Sequence, residues 1–310
     1  MLRKDKDGVW TGTTERPEDP GFHYYHLTID GCVVNDPGTG NFFGSCRWES
    51  GMEIPAPDQD FYQTRMEVPH GSLQQVLFPS PSTGEVRRAF VYLPPQYGEQ
   101  IVNRTRYALG LSKKSVNSKS PERFPVLYLQ HGWGENETSW PVQGCAGEIM
   151  DNLIADGKIK PFIIVMAYGL TNGFKFGTIS QFTAEEFEKV LIDELIPYID
   201  ANFLTKTDKW NRAMAGLSMG GVTTKLITLR RPEVFGYWGL LSGGMYMPEE
   251  IKDPKAVKYI FVGCGDKENP EGTNKSVEAL KAAGFKAEGL VSEGTAHEFL
   301  TWRRCLEKMA

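Results

Sequence analysis

The stretch Gly216-Leu217-Ser218-Met219-Gly220-Gly221 constrains this chain more than any other. It follows an apolar run, Arg212 to Ala215, that reads as a strand, and it opens a run from Gly221 to Arg231 that reads as a helix. A chain that passes from strand to helix in so few residues must turn sharply, with the serine held in a strained backbone conformation. Only residues without side chains let strand and helix approach that closely. Gly216, Gly220 and Gly221 meet the demand.

The surrounding pattern supplies the sheet that such a turn needs. Val126 to Gln130 and Phe162 to Ala167 are continuous apolar runs, typical of strands buried on both faces. Val86 to Leu93 ends at Pro94-Pro95, and Tyr237 to Leu241, Tyr259 to Val262 and Ala287 to Val291 are further strand candidates. Thr183 with Glu186 reads as a capping box opening a helix to about Ile199, interrupted at Pro197. Asn274 to Ala283 and Phe299 to Met309 read as helices, and the lysine-rich stretch from Gly98 to Glu122 as a loop. Strands alternating with helices from about Gly71 onward predict an α/β fold with a mainly parallel central sheet.

The first 70 residues differ. Short alternating runs such as His23 to Ile29, closed by Asp30-Gly31, predict antiparallel strands and hence a small, partial β-sandwich over 1–70. Gly51 to Pro57 reads as the linker to a second domain over 71–310.

Composition narrows the function classes. A net charge of −5 leaves no electrostatic footprint for nucleic acid, and no apolar run is long enough to span a membrane. Cys32, Cys46, Cys145, Cys264 and Cys305 never fall in metal-ligand spacing, so free thiols and no metal are expected.

A serine hydroxyl becomes a nucleophile only beside a base that an acid orients. Of His23, His26, His70, His131 and His297, only His297 follows Ser218, and it lies just past a strand candidate. The acid belongs in Gly263-Cys264-Gly265-Asp266-Lys267-Glu268-Asn269, where Asp266 and Glu268 both qualify. Two backbone N–H groups should face the developing oxyanion. Met219 supplies one, and Trp133, in the His131-Gly132-Trp133-Gly134 turn after a strand, supplies the other; His131 itself is expected to be structural.

These residues, with Tyr92 to Tyr97, Val126 to Glu135 and Gly294 to Glu298 followed by Trp302-Arg303-Arg304, carry a family resemblance. From about Gly71 the chain resembles the esterase D-like α/β-hydrolases, and specifically the feruloyl and acetylxylan esterases of carbohydrate esterase family 1. The resemblance implies the α/β-hydrolase fold and a cofactor-free serine carboxylesterase releasing ferulate or a related hydroxycinnamate from arabinoxylan or xylo-oligosaccharide. It favours Glu268 as the acid with Asp266 as fallback, although the family more often has aspartate there. Trp133, Trp140, Phe174 and Phe176 would wall the pocket of an aromatic acyl group.

Residues 21–25 and 29–37 resemble a carbohydrate-binding module of family 48, inside which the chain is expected to begin. Trp10, Tyr24, Tyr25 and Trp48 either bind sugar there or pack internally. A cell-wall substrate implies a secreted or periplasmic protein. Three other readings stay open. One is an acetylxylan esterase. Another is an enterochelin-type siderophore esterase, for which Arg104, Arg106, Lys113 and Lys114 would hold the anionic chelate. The third is a non-catalytic carbohydrate-binding protein.

Overall fold

The computed structural model describes residues 3–15, 17–111, 121–171 and 182–310. The N-terminal part holds β1 (Arg3–Lys4), β2 (Trp10–Thr11), β3 (Gly21–Tyr25), β4 (Leu27–Ile29), β5 (Cys32–Val34), β6 (Asn41–Gly44) and β7 (Arg47–Ile54). The expected Asp30-Gly31 turn joins β4 to β5 with both residues at positive φ, which is the backbone a two-residue hairpin requires. Ser45 and Cys46 do the same between β6 and β7.

Where the sequence suggested a small sandwich, the described strands form a three-stranded sheet, β3-β7-β6, and two ribbons, β1-β2 and β4-β5. Gly51 to Ile54, read as linker, belong to β7 and pair with β3. So few strands cannot close a core of their own. Phe22 therefore stacks edge-on against Phe299 of the C-terminal helix and joins its apolar cluster.

Next come β8 (Ser72–Ser80), β9 (Glu85–Leu93), α1 (Pro95–Ala108), β10 (Val126–Gln130), α2 (Ala146–Ala155) and β11 (Ile163–Ala167). After these follow α3 (Glu185–Lys189), α4 (Ile196–Asn202), β12 (Arg212–Leu217), α5 (Met219–Arg230) and β13 (Tyr237–Leu241). The chain closes with β14 (Tyr259–Gly265), α6 (Pro270–Ala282), β15 (Ala287–Ser292) and α7 (Phe299–Met309).

Eight of the described strands build one sheet in the order β15-β14-β13-β12-β10-β11-β9-β8. All pairings from β11 to β15 are parallel, while β9 and β8 add antiparallel edges. This is the mainly parallel α/β sheet expected from the strand–helix alternation, arranged as the α/β-hydrolase fold that the resemblance implies. Val126 and Tyr128 point to one face, into a core shared with Phe187, Ile227 and Leu280. Leu127 and Leu129 point to the other, against Ile149 of α2 and Leu300 of α7. Strand alternation thus splits one apolar run between two cores.

Two local readings are corrected. The stretch read as a loop from Gly98 is helical to Ala108, entered through Pro95 at the first helical position. The capping box does not form. Ala184 occupies the cap with no side-chain bond, and Glu186 instead accepts from Thr171 Oγ1 at 2.7 Å. The interruption expected at Pro197 takes the form of a π-helical turn over Val190–Leu195, just before it, after which the helix resumes. The wider turn accommodates a residue that has no N–H and crowds the preceding turn.

Candidate active site

The chain leaves β10 to form β11 on one side and returns to form β12 on the other. A crevice opens at the carboxyl ends of strands where the order reverses in this way. Ser218 follows β12 and His131-Gly132 follow β10, and Gly216 and Gln130 are register partners across the two strands.

Ser218 has φ 51° and ψ −120°, outside ordinary L-residue space. Its N–H donates to Leu241 O at 2.8 Å, which ties the strained residue to β13. A Cβ on Gly216 would lie 2.4 Å from the Gly220 backbone, and one on Gly220 2.5 Å from His131 O. The steric demand inferred for these glycines is therefore a backbone-to-backbone one.

His297 Nε2 lies 2.8 Å from Ser218 Oγ, and His297 Nδ1 lies 2.7 Å from Glu268 Oε1. A carboxylate at Nδ1 requires the proton there, which leaves Nε2 free to accept from the serine hydroxyl. Glu268 is fixed on its other oxygen by the Ser242 hydroxyl and the Gly265 N–H, both donating at 2.7 Å. Burial pushes the Glu268 carboxyl up, but the bonds from His297, Gly265 and Ser242 outweigh it and hold the group below its ordinary value. Asp266 is turned elsewhere: its Oδ2 accepts the Gly294 N–H at 2.8 Å, bracing the loop before His297. Of the two carboxylates the sequence left open, Glu268 is the one that meets the imidazole.

The turn after β10 is held at several points. His131 Nε2 accepts the Gly169 N–H at 2.9 Å, so its proton sits on Nδ1 and donates to Gly132 O at 2.8 Å. Burial depresses the ring to about 4, keeping it neutral in this structural role. In a trans peptide the C=O and the following N–H point opposite ways. Pinning Gly132 O to His131 thus turns the Trp133 N–H to the other side. Gly132 itself abuts the serine, since a Cβ there would sit 3.3 Å from Ser218 Cβ. Met219 opens α5, where first-turn N–H groups lack helical acceptors and carry the positive end of the helix dipole.

The proposed pocket walls fare unequally. Trp133 is half-buried beside this turn. Trp140 is 1% exposed and donates from Nε1 to Gln130 O at 2.8 Å, so it packs the core and fastens β10 instead of facing the crevice. Phe174 and Phe176 lie outside the described residues, as do Lys113 and Lys114. Arg104 and Arg106 are exposed on α1. Tyr24 packs against Phe22 and bonds Gln143, whereas Trp10 and Trp48 are exposed. All five thiols are free, and only Cys264 and Cys305 are buried.

Sequence reasoning missed Ser242, which has φ 50° and links Glu268 to the Trp302 indole N–H at 3.0 Å. Trp302 also sets its ring edge-on to His297, with centroids 5.1 Å apart. The only available signal was Ser242-Gly243-Gly244 after a strand candidate, which by itself reads as a turn.

The Esterase family model matches residues 80–288, well over half of the chain. The chain belongs to the Esterase family. The esterase is 79% identical, over 310 residues and its whole length, to an endo-1,4-beta-xylanase/feruloyl esterase of Xylanibacter ruminicola, of which it spans 40%. It is 26% identical over 220 residues to endo-1,4-beta-xylanase Y of Acetivibrio thermocellus, a match covering 61% of this chain and 20% of that protein. Among solved structures, a CE1 ferulic acid esterase of the anaerobic fungus Anaeromyces mucronatus aligns with TM-score 0.63 at 20% identity, covering 82% of this chain and 94% of that one. That likeness shows the shared α/β-hydrolase fold.

Proposed function

We propose that the chain is a serine carboxylesterase of the carbohydrate esterase family 1 type, releasing ferulate or a related hydroxycinnamate from arabinoxylan or its xylo-oligosaccharides. The observation that carries the reading is the unbroken line Ser218, His297, Glu268, with links of 2.8 and 2.7 Å at the switch point of the sheet. The identity to a relative named as a feruloyl esterase supports the acyl group.

Ser218 Oγ attacks the ester carbonyl while His297 Nε2 takes its proton, and Glu268 stabilises the imidazolium that results. The N–H groups of Met219 and Trp133 receive the carbonyl oxygen as it becomes an alkoxide. Collapse expels the sugar hydroxyl, protonated by His297, and leaves the acyl group on Ser218. Water, deprotonated by His297, then attacks the acyl-enzyme, frees the acid and restores the serine. The chain's own groups supply each proton transfer.

The proposal extends to residues 1–70 as a partial family-48-like module, with exposed Trp10 and Trp48 as the rings open to sugar, and to a secreted or periplasmic site of action.

Product analysis on methyl ferulate and acetylated xylan side by side tests the acyl group. Free ferulate with little acetate supports the reading. Acetate as the main product would make the chain an acetylxylan esterase. Turnover unchanged in Ser218→Ala would remove the serine mechanism altogether.

A further inference from the structure

A second carboxyl group lies beneath the same site and takes no part in the relay. Glu135 is 7% exposed, and its Oε2 accepts the Gly132 N–H at 2.8 Å. The Ser139 hydroxyl faces the same carboxyl, and among the described residues His297 and Tyr24 are ionisable side chains within electrostatic reach. Burial pushes the group up to about 7. Putting a carboxyl in such a place costs stability unless the bond it makes offsets the cost.

What the carboxyl holds is the peptide next to the nucleophile. Gly132 has no side chain to restrict its backbone, and its carbonyl is already tied to His131. Two residues on, Gly134 turns with φ 74° and its carbonyl accepts the Cys46 N–H from the β6–β7 turn at 2.8 Å. The Gly132 N–H is the remaining handle. Without an acceptor it is a buried unpaired donor, and the turn gains by rotating to find another partner.

We propose that Glu135 is a positioning residue: by accepting the Gly132 N–H it fixes the 131–132 peptide and so, with His131 holding the Gly132 carbonyl, both sides of the Gly132 hinge, so that the Trp133 N–H stays aimed at the carbonyl under attack by Ser218. This rests on the serine esterase reading above. What matters is an acceptor atom at that reach, not the charge. Glutamine keeps the acceptor and loses the charge; aspartate keeps the charge and loses the reach; methionine keeps the length and loses the acceptor.

The experiment compares Glu135→Gln, Glu135→Asp and Glu135→Met with wild type on p-nitrophenyl acetate, a substrate that does not depend on acyl preference. Melting is followed alongside, as is inhibition by an aryl trifluoromethyl ketone, which adds to the serine and forms an oxyanion. Glu135→Gln should stay within about threefold of wild type. Glu135→Met and Glu135→Asp should lose about 10- to 100-fold in kcat, somewhat less than deleting an oxyanion donor, with KM within about twofold. Their ketone affinity should fall by the same factor as kcat/KM.

Either of the last two variants suffices if the other does not fold. A folded Glu135→Met or Glu135→Asp with wild-type kcat and ketone affinity would overturn the proposal. So would Glu135→Gln as impaired as Glu135→Met, which would make the charge facing His297 the essential property. Absence of turnover by wild type, or retention of turnover by Ser218→Ala, would instead overturn the esterase reading itself.

Discussion

Glu268 and Asp266 stand two residues apart and do different work, because the turn from Gly265 to Glu268 folds the glutamate back. The Glu268 N–H donates to Gly265 O, and the Glu268 carboxylate in turn accepts the Gly265 N–H. Glu268→Gln should therefore lower kcat by about 10³- to 10⁴-fold, through loss of the charge that orients and stabilises His297. Asp266→Asn should change kcat by less than about threefold, because its contact is a single loop bond. Steady-state kinetics on a p-nitrophenyl ester separates the two. Ser242→Ala removes one of three donors to Glu268 and should cost about tenfold in kcat with KM little changed, the size expected of a hydrogen bond to a charged group. Ser218 and His297 were legible in the sequence because a glycine-framed serine and a single downstream histidine leave no alternatives. The acid was not, since a loop can present either carboxylate until its hydrogen bonds are known. Glu135 adds a pH dependence. Its carboxyl, raised in the fold from 4.5 to about 7, binds a proton that the unfolded chain has already lost, so stability falls as pH rises between those values. Glu135→Gln lacks this loss, and its melting temperature relative to wild type should climb from about pH 4.5 to about pH 7 and then level off. A flat difference would contradict the burial of an ionisable group there.

The strand-to-helix turn from β12 into α5 is the element on which the site depends. Gly220→Ala would push a methyl into the carbonyls of His131 and Gln130, at 2.5 and 2.7 Å, and neither belongs to a flexible side chain. The expected result is loss of esterase activity with a folded sheet, or failure to fold, read by turnover and circular dichroism together. The turn was legible because its chemistry is local: a glycine at each close approach and an apolar strand before it. Helix α1 was not. Gly98, Asn103 and Thr105 dilute its apolar pattern, and the lysines downstream draw the eye to a loop, while the helix is set by Pro95 at its start and by contacts such as the Gln100 Oε1 bond to the Glu122 N–H at 2.6 Å. The π turn before Pro197 was hidden for a related reason: a proline signals a break, and only tertiary packing of Val190, Leu191 and Leu195 selects the wider turn instead.

At the scale of the whole molecule, the first 70 residues and the hydrolase share one apolar cluster. Arg303, 1% exposed on α7, stacks on Tyr62 at 4.4 Å, bonds both oxygens of Glu53 at 2.7 and 3.0 Å, and donates twice to Gln143 O. The β6–β7 turn reaches Gly134 beside the site. Sequence punctuation concealed this: Gly51 looks like a linker residue, yet a Cβ there would lie 2.5 Å from the Phe22 ring and 2.6 Å from that of Phe42. Its absent side chain serves packing. Arg303→Met should cost about 2–4 kcal/mol, about 1 kcal/mol below the roughly 3–5 kcal/mol of a fully buried pair because Glu53 is 37% exposed and regains water. Calorimetry should record a drop of roughly 4–15 °C in melting temperature, and an unchanged value would show that the two parts dock without this anchor. The central claim, that Ser218 is the nucleophile of a feruloyl esterase, is tested most directly by measuring ferulate released from feruloylated arabinoxylan by wild type and Ser218→Ala under the same conditions. Release by wild type and none above background by the variant is the predicted result; equal release by both, or none by either, would contradict it.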